Sequence, residues 1–166
     1  MSLIEIPAGT HVFVDANVLT YYFLQSQPFV EVCDAFFERI ASRDLRAFTS
    51  ADAAADVIHR VMVSEAIARF ELEPRAAVSH LKTHPEIVQQ LVHFRSIPGD
   101  LARARIHILD VTYRELHASK QYREEYGLLT RDSIILAVMR RNKLVHMATN
   151  DRDFEQIAGI KVWLPR

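Results

Sequence analysis

Short β-prone runs alternate with helical stretches along nearly the whole chain, and this alternation limits the possible folds more than any other feature. "HVFV" (11–14) reads as a strand that feeds the helical spacing of "ANVLTYYFLQ". Pro28 then opens a second predicted helix to about Arg43, and "LRAFT" (45–49) is a second strand. Ser50 caps a long helix that Pro74 stops, and residues 75–105 carry two or three short helices. "RIHILDV" (105–111) is a third strand, followed by a capping box, Thr112 with Glu115, whose helix ends at Gly127. Thr130 starts another helix; "LVHMAT", a short helix in "RDFEQIAG" and a strand at "IKVWL" complete the order.

Strands separated by helices bury both faces of a sheet, so the expected fold is a three-layer α/β/α arrangement around a central, mostly parallel twisted sheet. No repeat or flexible linker divides the 166 residues, and one domain over 1–166 is expected, with an all-helical, insertion-like region about 64–105.

Composition narrows the class. Hydrophobic residues make up 49% and charged residues 25%, as in ordinary globular proteins. The stretch from Val12 to Val30 contains Asp15, Asn17, two glutamines and Pro28, which excludes an apolar membrane span. No basic segment precedes an apolar one at the N-terminus, so a cytoplasmic location is the expectation. The single cysteine, Cys33, excludes an internal disulfide, and its place on a face with Val30, Phe37 and Ile40 reads as core. A net charge of −1 argues against bulk attraction to nucleic acid, although 16 of the 20 cationic residues are arginine.

Acidic residues recur where strands end. Asp15 ends the first strand, and Asp151 and Asp153 follow the fourth, so all three belong to the carboxyl edge where open α/β sheets form their sites. Asp132 lies one turn into a helix, and Asp56 lies two turns into the helix after the second strand. Two carboxylates ~4 Å apart repel by roughly 4 kcal/mol at an effective dielectric near 20. Several together hold protons or a cation, and an oxygen-only set suits Mg²⁺ or Mn²⁺ better than Zn²⁺. Each acid also has a purely structural reading: an N-cap for Asp15 and for Asp151 or Asp153, a helix-start charge for Asp132, and an i,i+4 pair with Arg60 for Asp56.

The stretches "VFVDANVLTYYF" (12–23), "LLTRDSIILAVMRR" (128–141) and "ATNDRDFEQIAGIKVW" (148–163) resemble the PIN-domain nucleases, including the VapC-type toxins of toxin–antitoxin pairs. The resemblance implies metal-dependent hydrolysis of RNA phosphodiesters, with Asp15, Asp132 and Asp151 as ligands of Mg²⁺ or Mn²⁺. It gives Asp56 the place of a second catalytic acid, usually glutamate, and makes Asp153 an auxiliary acid acting through water. Asn17 and Thr149 match polar positions that orient ligands or substrate. Ala16 departs from the hydroxyl residue common after the first acid, and Arg131 sets a guanidinium beside Asp132, free to pair with that acid or touch a phosphate.

A toxin of this kind implies an RNA substrate and a small antitoxin presenting arginine to the acids, and the apolar faces of the early helices are compatible with a homodimer. Two other readings share the acids: a catalytically inactive PIN-like RNA-binding scaffold, and a HAD-like phosphatase, against which Asn17 stands where that class needs an acid. His80, His84 and the "RRNK" segment (140–143) read as surface; Tyr21 and Tyr22 read as core; His59 is placed either near the acids or in solvent.

Overall fold

The computed structural model describes residues 1–166. Five strands, β1 (His11–Val14), β2 (Arg46–Ser50), β3 (Ile106–Leu109), β4 (His146–Ala148) and β5 (Lys161–Trp163), form one sheet in the order β3-β2-β1-β4-β5. All four pairings are parallel, with Phe13 opposite Phe48 on one side and Met147 on the other. The helices are α1 (Ala16–Phe23), α2 (Val30–Ala41), α3 (Ala51–Phe70), α4 (Ala77–Thr83), α5 (Pro85–Gln90), α6 (Ile97–Arg103), α7 (Tyr113–Tyr126) and α8 (Thr130–Arg141). None is long and apolar enough to cross a membrane.

Alternation along the strands builds two cores. Val12 and Val14 join Ala47, Ile106 and Ala148 in one cluster beneath α1, α2, α3 and α6, together with fully buried Cys33 and Phe36. Phe13 and Met147 point the other way and pack with Leu136, Met139 and Phe154 beneath α8. A strand side chain can serve only one face, so the period of two seen in "HVFV" produces both layers at once.

Local signals fix most boundaries. The Ser50 hydroxyl accepts from Ala53 N, and Glu115 closes the Thr112 capping box while Gly127 adopts φ 68° at the end of α7. Pro28 does not open α2: it lies in the preceding turn, and the helix starts at Val30. The helical region begins inside α3, which continues to Phe70, and carries α4, α5, a 3₁₀ turn at His93–Ser96 and α6. Its anchor is Glu65, whose side chain is 1% exposed. Glu65 accepts from Val92 N at 3.0 Å and His93 N at 2.9 Å and pairs with Arg69 at 3.0 Å. The last turn of α8 is also structural, because Arg141 reaches Glu115 on α7 at 3.0 Å.

Candidate active site

The chain runs outward from β1 through β2 to β3, then returns across the sheet to β4 and β5. The reversal lies between β1 and β4, and in open parallel sheets the crevice at such a point, beyond the strand carboxyl ends, is where ligands bind. A cavity of about 130 Å³ occupies this place, lined among others by Asp15, Asp56, Asp132, Asp151, Arg60 and Arg131. Four segments of the chain thus deliver four of the five predicted acids to one pocket.

Asp15 sits at the centre of a fixed network. Its Oδ1 accepts from Ala16 N at 2.6 Å, so it caps α1, while Oδ2 accepts from Asn17 Nδ2 at 2.7 Å and Thr149 Oγ1 at 2.6 Å. Asn17 Nδ2 also reaches Thr149 Oγ1 at 3.0 Å, and its Oδ1 receives Asn150 N at 3.0 Å. The segment after β4 is therefore sewn to the start of α1. Asp151 N donates to the same Thr149 hydroxyl at 3.0 Å, and Asp151 Oδ1 in turn caps the 3₁₀ turn Arg152–Gln156 through Asp153 N at 2.9 Å. Asp153 is exposed outside the pocket lining, yet its charge still acts on Asp132.

Asp132 arrives on the first turn of α8. Arg123 of α7 holds that turn by donating to Ser133 Oγ at 3.0 Å. Burial, then the neighbouring charges of Asp151, Asp15 and Asp153, push the Asp132 carboxyl up to about 6. Burial also raises Asp15, against the hydrogen bonds from Thr149 and Ala16.

Asp56 behaves differently. Arg60 lies 2.7 Å from Oδ2 and Arg131 3.0 Å from Oδ1, so the carboxylate is clasped between two guanidinium groups. Burial opposes its ionisation, but these hydrogen bonds prevail and hold the carboxyl below its ordinary value. Arg131 pairs across helices with Asp56 and not with its neighbour Asp132.

Asp52, one turn before Asp56, was not anticipated. Both of its carboxylate oxygens are shielded from solvent and lack a hydrogen-bond partner, and its charge is felt by Arg131. The i,i+4 spacing of the two acids in "ADAAAD" is the only sequence signal for it. His59 faces away from the acids, into an apolar cleft with Met62, Val78 and Leu81. His80 and His84 stack on each other at 3.9 Å, and Tyr21 and Tyr22 stack on Phe29 and Phe37. Tyr21 also receives the Asn150 amide through its hydroxyl at 3.1 Å.

The donor chemistry fits a hard divalent cation: the pocket offers carboxylate oxygens and no thiol or imidazole, with the unpartnered Asp52 oxygens one helical turn from Asp56. As placed, no three of the acids are grouped closely enough to hold one ion, so side-chain re-aiming would have to accompany binding.

No curated protein matches the sequence. Among solved structures, the chain resembles a toxin–antitoxin complex from Klebsiella pneumoniae, with 18% identity, a TM-score of 0.52 and coverage of 93% of this chain and 98% of that one. VapBC2 from Rickettsia felis, bound to a promoter DNA fragment, gives 14% identity, a TM-score of 0.57 and coverage of 93% and 98%. VapC20 of Mycobacterium tuberculosis, a Sarcin-Ricin loop cleaving toxin, gives 14%, 0.55 and coverage of 87% and 92%. At such identities these likenesses concern the fold. The family profile of the PIN domain matches residues 12–160, and the chain belongs to the PIN domain family.

Proposed function

We propose that the protein is a metal-dependent endoribonuclease acting as the toxin of a toxin–antitoxin pair in the cytoplasm. The carrying observation is the convergence of Asp15, Asp132 and Asp151 on one small pocket at the sheet's reversal point. In this reading Asp15, Asp132 and Asp151 hold Mg²⁺ or Mn²⁺, with Asp153 assisting through water. Held there, the ion would supply an acidified water and neutralise phosphate charge. Thr149 and Asn17 fix the Asp15 carboxylate so that it need not reorganise when substrate arrives. Asp56 completes the catalytic acid set from α3 and aims Arg131 and Arg60, 44% and 50% exposed, toward the scissile phosphate. A small antitoxin offering arginine to the remaining carboxylates would block the same pocket.

A second reading, an inactive RNA-binding scaffold, is favoured by the clasped Asp56 and by the lack of a ready three-acid group. Cleavage of a labelled structured RNA with Mn²⁺, with EDTA, and by Asp15→Asn separates the two. The nuclease requires cleavage that depends on both the metal and Asp15; a folded, partner-free protein that never cleaves the RNA establishes the scaffold.

A further inference from the structure

The opposite end of the sheet carries a cluster of the other sign. A groove of about 530 Å³ is lined by Arg43, Arg46, Arg105, His107 and Phe48, and no acidic side chain borders it. Arg43 ends the turn after α2, Arg46 begins β2, and Arg105 immediately precedes β3. Parallel register aligns them: Ala47 stands opposite Ile106, which sets Arg46 beside Arg105, and His11 stands opposite Arg46. Three neighbouring strands thus carry His11, Arg46 and Arg105 side by side at their amino ends.

None of Arg43, Arg46 and Arg105 takes part in an ion pair, and all three are exposed. Nearby Asp44 is engaged by Arg39 at 2.6 Å. Like charges gathered without counter-ions repel one another, an arrangement that an anionic ligand relieves. Between them lies an aromatic row: the half-buried Phe48 ring has His11 at 5.5 Å and His107 at 5.4 Å. A row of rings crossing a sheet, its two outer members His11 and His107 exposed, flanked by forked guanidinium groups, matches what unpaired nucleic acid needs: flat faces for bases and bidentate donors for phosphates.

We propose that this amino-edge groove is a second binding site for single-stranded RNA, with Arg43, Arg46 and Arg105 on the phosphates and the Phe48 row against bases. The choice of RNA as the nucleic acid rests on the ribonuclease reading. The groove lies one strand length from the acidic pocket, about 13 Å from His11 to Asp15 at ~3.3 Å per residue. It contributes affinity and holds flanking RNA, and it takes no part in bond cleavage.

The test is fluorescence anisotropy with a labelled single-stranded oligouridylate of about a dozen nucleotides, in EDTA so that cleavage plays no part. Arg46→Glu/Arg105→Glu is expected to weaken binding about tenfold or more, and Arg46→Gln/Arg105→Gln to lower the slope of log K against log salt by ~0.7 for each phosphate no longer neutralised. Circular dichroism confirms that both variants are folded. Unchanged affinity and slope in both variants overturn the proposal and leave the groove to an acidic protein segment; displacement of the RNA by equimolar inorganic phosphate also overturns it, marking a simple anion site. Because Asp15→Asn is assayed for cleavage separately, loss of binding in the arginine variants alongside absent cleavage in wild type sinks the nuclease reading alone.

Discussion

Thr149 and Asp15, 134 positions apart in sequence, meet in a 2.6 Å hydrogen bond from the fully buried Thr149 hydroxyl to Asp15 Oδ2. This bond ties the end of β4 to the end of β1. Thr149→Val keeps the shape but removes the donor that the buried carboxylate depends on and the acceptor for Asp151 N. A loss of about 1–3 kcal/mol in urea unfolding is expected, together with reduced RNA cleavage, while Thr149→Ser retains most of both. A loss in the Ser variant with little or none in the Val variant would show that packing of the methyl group, not the hydroxyl, matters.

Asp132 gives a pH signature with a definite sign. Its folded carboxyl lies at about 6, above its ordinary 3.8, so ionisation is disfavoured by folding and stability is lost as pH rises through that window. Asp132→Asn removes the penalty. The variant should melt higher than wild type at pH 7, and the difference should vanish near pH 4. Added Mn²⁺ should stabilise wild type at pH 7 and much less at pH 5, where protons compete for the carboxylate, and should have little effect on the variant.

The two arginines on Asp56 should couple to it unequally. The cross-helix pair with Arg131 joins α3 to α8, whereas the Arg60 pair lies within one exposed helical turn. Double-mutant cycles in urea are expected to give about 1 kcal/mol for Asp56–Arg131 and about 0.3–0.5 kcal/mol for Asp56–Arg60. The reverse ranking would mean that Arg131 is free in solution and that Asp56 is held by its own helix.

Glu65 ties the helical region together through Val92 N, His93 N and Arg69. Glu65→Ala strands Val92 N and His93 N, and an unfolding free energy lower by about 3 kcal/mol is expected. Hydrogen exchange should quicken first at Val92 and His93. Unaltered protection there would assign the destabilisation to the broken Arg69 pair.

Cys33 is fully buried, and burial pushes its thiol up to about 12. It should resist a thiol reagent at pH 8 until the protein unfolds and then react at the rate of an ordinary cysteine. Rapid labelling of native protein would place α2 in a loosened state.

Much of this protein was legible in its residues because the governing forces act over a few positions. The twofold period of "HVFV", the Ser50 cap, the Thr112–Glu115 box and Gly127 each select a local conformation, and their alternation required a covered parallel sheet. The position of Asp15 at the end of an apolar strand is enough to assign it to a carboxyl edge. Which side chains meet across that edge was beyond local pattern. Spacing proposed Arg60 for Asp56 but did not supply Arg131, 75 positions away, and nothing near Asp52 announced its unpartnered oxygens. Strand order and register decided these meetings, as they decided that Arg46 and Arg105 lie side by side at the amino ends of adjacent strands. Backbone propensity and burial period are set by neighbours in the chain, whereas the partner of a charged side chain is set by whichever element packing brings within a few ångströms.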